Sequence, residues 1–187
     1  MFKKASNEAI LQSIASAYGA GQKTVEQAID DALEASMQHI GCARISLWRF
    51  ENDGGARGLR CFVAKLVGQP TTDDSTLLAE DQYRAYYAAL VQRSAFVSDD
   101  AMRDPQLLAM RGGYLLQNGI TALLDIPVTI NARAYGIVCC EQIGMAYHWS
   151  PQQIRTARET VTRAGLLLAQ ESTIRLGTLE SMPIEPF

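Results

Sequence analysis

Residues 122–142 constrain this chain more than any other stretch. Ala122, Leu124, Ile126, Val128 and Ile130 alternate with Leu123, Asp125, Pro127 and Thr129. A period of two places these sets on opposite faces of a β-strand. Asn131, Ala132 and Arg133 form a tight connection, and residues 134–142 are a second strand. Two apolar runs separated by a short turn predict a hairpin. Pro127 has no N–H to offer a neighbouring strand, so it marks an edge position or a bulge. Beyond the hairpin, Ser150, Pro151 and Gln153 are an N-cap, a first-turn proline and a capping-box residue. Ile154, Ala157, Val161, Ala164, Leu167 and Leu168 run down the apolar side of the helix they start.

The rest of the chain supplies elements of both kinds. Ile10, Leu11, Ile14 and Tyr18 recur at helical spacing until Gly19 and Gly21 break the pattern. Thr24 caps a second helix with Gln27 three residues on, and Gly41 ends it. ARISLWRF at residues 43–50 alternates as a strand, Asn52-Asp53-Gly54-Gly55 is a turn signal, and residues 59–67 return as a strand. Residues 69–75 read as a polar loop. Tyr83, Tyr86, Tyr87 and Leu90 predict a middle helix, residues 95–98 a short strand, and residues 100–110 and 114–118 short helical pieces. The order helix, hairpin, helical middle, hairpin, helix predicts an α+β fold: a central antiparallel sheet with helices on both faces.

Composition narrows the class. The chain has 187 residues, 48% of them hydrophobic and 20% charged, enough for one domain with a real core. The net charge is −3, which argues against nucleic acid as main partner. Arg44, Arg49, Arg57 and Arg60 form the nearest basic cluster and read as a solvated sheet edge. There is no secretory signal and no run of the roughly 18 apolar residues that a membrane span needs, so a cytoplasmic location is expected. The four cysteines, Cys42, Cys61, Cys139 and Cys140, match neither a zinc nor a redox pattern. Cys139 and Cys140 are strand neighbours, one inward and one outward.

The run TALLDIPVTINARAYGIVCCEQIGMAYHWSPQQIRTA resembles the carboxy-terminal half of bacterial GAF domains. ARISLWRFENDG, SAFVSDDAMRDP and YLLQNGITALLD agree in the family's order, so the resemblance covers residues 24–170. It implies a GAF/profilin-like fold with a sheet of five or six strands and a ligand pocket between one sheet face and the middle helical segment. The boundaries expected are 1–22 for an N-terminal helix and linker, 23–171 for the domain and 172–187 for a tail. The patterns are similar to GAF domains attached to sensor histidine kinases and diguanylate cyclases, which makes such an output domain a candidate partner, beside a homodimer formed through the terminal helices. The expected function is small-molecule sensing in bacterial signal transduction, without catalysis. Two other readings compete: a ligand-free dimerisation module pairing through the apolar stripes of the terminal helices, and a cysteine-dependent free methionine sulfoxide reductase. Fold alone names no ligand and no cofactor.

Within the family's special chemistries, a bilin is held on a cysteine of the middle region, and no cysteine lies between Cys61 and Cys139. Haem or metal would need His39 or His148, one at a helix end and one in a loop, and no metal ligand is assigned. The candidate ligand-binding groups are polar or aromatic residues near the expected pocket. Asp125 and Glu141 are acids inside apolar strands, and need a partner or a raised pKa; the plain alternative is pairing with an arginine such as Arg133. Tyr83, Tyr86 and Tyr114 offer an apolar body with a polar tip, and the alternative is core packing, as for Trp48. Ser98 and Asp99 meet a ligand or cap a helix starting near Asp100.

Overall fold

The structure, a computed structural model, describes residues 5–53, 56–69 and 76–174. Two helices come first, α1 (Asn7–Gly19) and α2 (Val25–Ile40). Ser6 caps α1, and Thr24 caps α2 with the reciprocal Gln27 bond of a capping box. Gly41 closes α2 at φ 72°, a left-handed conformation that needs no Cβ. Strands β1 (Arg44–Asp53) and β2 (Ala56–Leu66) pair antiparallel with Asp53 opposite Ala56. The turn glycines Gly54 and Gly55, like the polar loop at residues 70–75, lie outside the described residues. Then follow β3 (Leu77–Ala79), α3 (Arg84–Gln92) and β4 (Phe96–Ser98). A 3-10 turn (Pro105–Met110), a π turn (Arg111–Leu115) and the one-turn α4 (Leu116–Asn118) form the rest of the middle segment. The chain closes with β5 (Ile120–Ile130), β6 (Arg133–Ile143) and α5 (Pro151–Ile174).

The six strands form one antiparallel sheet in the order β3-β2-β1-β6-β5-β4. The period of two divides its side chains between two cores. Ile45, Leu47, Leu124, Ile126, Val138 and Cys140 meet α1, α2 and α5. Trp48, Leu59, Leu123, Ile137 and Cys139 meet α3 and the middle turns. Both faces are therefore covered, which is the α+β arrangement expected. The adjacent cysteines point to opposite faces, but both are inward, because neither face is open to water. The helical layer is pinned by a buried polar ladder: Thr160 donates to Ser36 at 2.7 Å and Ser36 to Asn7 at 3.4 Å. Buried hydroxyls so paired cost little and fix the register of three helices.

Several expectations are corrected. The apolar stripes of α1 and α5 pack inside the chain, with Leu11, Ile14, Ala157, Ala164, Leu167 and Leu168 all buried, while Leu166 on α5 is exposed. Helix α5 runs through residues 172–174, assigned to a tail, because nothing there breaks a helix; residues 175–187 lie outside the described ones. The helix expected from Asp100 starts at Pro105 and is a 3-10 turn, since Asp104 is the residue whose side chain accepts from Gln106 N–H. Strand β3 was hidden by its brevity. Arg44 is no part of a solvated edge: it is buried, while Arg57 is exposed.

Pro127 sits where the sheet makes it tolerable. β4 pairs with β5 only from Leu123 to Asp125, so Pro127 lies past the last β4 partner, and the register shift at Val128/Thr129 follows directly. The residue is thus on a free edge and beside a bulge.

Candidate functional site

The two in-strand acids point into the same core. Across the β1, β6 and β5 register, Arg44 is opposite Glu141, Ser46 opposite Cys139 and Asp125 opposite Cys139. All stand on the face that meets the middle helices. Arg44 Nη1 donates to the Glu141 carboxylate and, at 2.7 Å, to the Tyr114 hydroxyl. Tyr114 in turn donates to Glu141 Oε1 at 2.6 Å. The partner of Glu141 is Arg44, adjacent in the sheet, rather than Arg133 at the hairpin turn. Burial works against the charge on Arg44, but Glu141 and Tyr114 outweigh it and push the guanidinium pKa up. The three groups close a buried, charge-assisted triangle.

Asp125 makes no ion pair among the described residues. Its Oδ2 accepts from Tyr86 OH at 2.6 Å, and its Oδ1 is buried with no hydrogen-bond partner among the described residues. Burial drives its pKa from the ordinary carboxylate value to about 7, against the hydrogen bond from Tyr86. Burial likewise raises Tyr86, Tyr114 and the Cys139 thiol, and a hydrogen bond with Cys42 together with burial raises Cys140. Trp48 closes the cluster, donating to Ser46 Oγ at 2.8 Å and meeting Tyr114 edge-on at 5.6 Å.

Five of the predicted residues, Asp125, Glu141, Tyr86, Tyr114 and Trp48, therefore come together, each buried and bonded to its neighbours. Tyr83, at the start of α3, is buried in the same core as Trp48, Tyr86 and Tyr114. Ser98 is buried in β4. Asp99 staples the loop before α5: it accepts from Trp149 N–H at 3.2 Å and from His148 Nδ1 at 2.6 Å. It does not cap a helix.

The open space lies next to this cluster. A groove of about 630 Å³ runs beneath the carboxy-terminal half of α3. Its floor includes Phe50, Gly58, Tyr87, Leu90, Ile126 and Ile137, and Val161 of α5 closes one side. It exists because β4 is only three residues long, so β5 beyond Asp125 has no outer neighbour and α5 reaches round its edge. Gly58 has no room for a side chain, since a Cβ there would meet Leu77 Cδ1 at 2.8 Å and Leu78 O at 2.9 Å. The rim carries Glu51, Arg57, Glu80, Arg93 and Arg158. None of the eight predicted residues lines it. The lining residues come from six strands and helices far apart in sequence, and Arg57 alone of the lining arginines was singled out there, as part of a solvated sheet edge. The single local hint was Pro127, itself part of the lining.

The sequence model of the GAF domain family matches residues 24–168. This chain is a GAF domain. The same fold occurs in solved structures at low sequence identity. One is a phycocyanobilin-bound GAF domain from a cyanobacterial phytochrome, 13% identical, with a TM-score of 0.73 over 94% of this chain and all of that one. Another is the GAF domain of an Acinetobacter phosphoenolpyruvate-protein phosphotransferase, 11% identical, TM-score 0.67, covering 93% of this chain and 95% of that one. A third is a red/green cyanobacteriochrome in its red-light-absorbing state, 18% identical, TM-score 0.62, covering 83% of this chain and all of that one. No curated protein matches the sequence. Among the described residues of this GAF domain, no helix is long and apolar enough to cross a membrane, and no group of three or more His, Cys, Asp or Glu side chains is placed to hold a metal ion.

Proposed function

We propose that this GAF domain is a ligand-sensing regulatory module of bacterial signal transduction, and that its ligand occupies the groove between α3, the sheet and α5. The groove itself carries the reading. At about 630 Å³, with an apolar floor and a charged rim, it falls in the range of roughly 300–1,000 Å³ typical of small-molecule sites. The space between the sheet and the rest of the middle segment, by contrast, is filled by Trp48, Tyr86 and Tyr114. A molecule in the groove touches Leu90 of α3, Ile137 of β6 and Val161 of α5 together. It would thus bias where α5 sits against the sheet. Coupling free energies between sites of about 1–3 kcal/mol are typical and sufficient to shift a signalling equilibrium. A histidine kinase or diguanylate cyclase output domain following α5 is the partner this arrangement suits.

Solved relatives of the fold that hold bilins support a ligand-holding role. Covalent attachment as in a cysteine-linked pigment is disfavoured here, because all four thiols are buried. The same burial, which pushes the Cys139 and Cys140 thiols up, argues against a methionine sulfoxide reductase that acts through either of them. A dimerisation-only role loses its premise, since the stripes that suggested it are packed within the chain.

Thermal-shift screening against cyclic nucleotides, amino acids and aromatic acids tests the reading. At least one class stabilises the wild type, and Thr162→Trp, which fills the groove from an exposed position of α5, abolishes the shift. Stabilisation that survives in that variant would place the ligand elsewhere.

A further inference from the structure

The two ends of the groove differ in charge chemistry. At one end each cation is already paired: Arg57 Nε lies 3.1 Å from Glu80, and Arg60, just outside the lining, lies 2.6 Å from Glu51. At the other end stand Arg93, where α3 meets β4, and Arg158 of α5. Neither has a carboxylate partner among the described residues. Arg158 Nη2 donates to Ser94 Oγ at 3.1 Å, which ties the guanidinium to the groove wall and leaves the Ser94 hydroxyl proton free to donate. Arg93 lies with its Cζ 5.9 Å from the centroid of the Phe96 ring, a cation–π contact that holds it beside the groove.

We propose that this end is an oxyanion subsite, and that the groove takes an organic anion: a carboxylate on a planar or branched apolar body. The inference rests on the groove being the ligand site. Two guanidinium groups and a hydroxyl match the lone pairs of one carboxylate, which arginine binds in a planar, bidentate manner. Tyr87, Leu90, Ile126, Ile137 and Val161 supply the apolar bed for the remainder. The rim has three arginines against two glutamates in a chain whose net charge is −3. A positive concavity on a negative protein steers anions toward itself. The paired Arg57 and Glu80 at the far end can meet a second polar group without selecting its sign.

The test is a ligand-observed NMR screen of the full chain with matched acids and primary amides of benzoic, phenylacetic, cinnamic and indole-3-acetic acid, with phenyl phosphate alongside. The acids bind, their amides bind at least tenfold more weakly, and Arg93→Gln and Arg158→Gln each reduce acid affinity toward that of the amide. Both arginines are exposed, so the variants keep the wild-type melting temperature. Phenyl phosphate binding more tightly than benzoate would keep the oxyanion site and move its ligand class from carboxylate to phosphate, overturning the carboxylate assignment. Amides binding as well as acids, with both lost in Thr162→Trp, would overturn the anion subsite and leave the groove as ligand site. No binding by any probe to the wild type would count against both.

Discussion

The buried carboxyl of Asp125 makes a pH signature that can be calculated. In the unfolded chain its pKa is 3.8; in the folded protein, burial lifts it to about 7. A raised pKa means that the native state holds a proton that the unfolded state has released. Its favourable contribution is complete below the unfolded value and is lost as pH rises through the folded one. Between those values stability falls by about 1.4 kcal/mol per pH unit. From pH 5 to pH 8 this single group therefore removes about 3 kcal/mol by linkage. Asp125→Asn keeps a carbonyl to accept from Tyr86 OH and has no titration. Urea unfolding at pH 5, 6, 7 and 8, followed by fluorescence of the buried Trp48 and Trp149, measures the difference. The variant is the less stable protein at pH 5, where wild-type Asp125 is neutral, and the gap closes or reverses by pH 8. For a domain of this size the change corresponds to roughly 5–10 °C in relative melting temperature. All other titrating groups cancel in the comparison. Parallel stability-pH curves for the two proteins would show that Asp125 is hydrated or paired in solution and would refute the argument.

Three further outcomes follow from the geometry. Glu141→Gln leaves the buried Arg44 charge without its counter-ion and lowers stability by about 3–5 kcal/mol, whereas the double replacement Arg44→Met/Glu141→Leu recovers most of it in the same denaturation assay. A Cβ on Gly136 would lie 1.8 Å from Trp48 O, inside the β1–β6 pairing, so Gly136→Ala costs at least about 3 kcal/mol and shows as loss of soluble protein or of cooperative melting. Asn131 and Ala132 both have positive φ, 50° and 61°, in the two-residue β5–β6 turn; Ala132→Gly relieves a left-handed alanine and raises stability by up to about 1 kcal/mol in calorimetry.

Local chemistry settled much of this fold from sequence alone. The alternation through residues 122–142, the Thr24–Gln27 and Ser150–Gln153 boxes and the glycine at position 41 each act over a few residues, so hairpin, caps and helix ends were readable without tertiary information. The acids breaking the apolar strands were also readable, and five of the proposed ligand groups do converge. What they converge into was not readable. Glu141 meets Arg44 from 97 residues away and Asp125 meets Tyr86 from 39 away, and only the sheet order places them together. Once there, they fill the space a ligand was expected to take. The groove is a still more global product: it depends on β4 stopping after three residues and on α5 bringing Val161 and Arg158 to its side. Pattern in a sequence reports which face a residue takes; where the chain leaves a void is decided by the lengths and packing of elements that never meet in sequence.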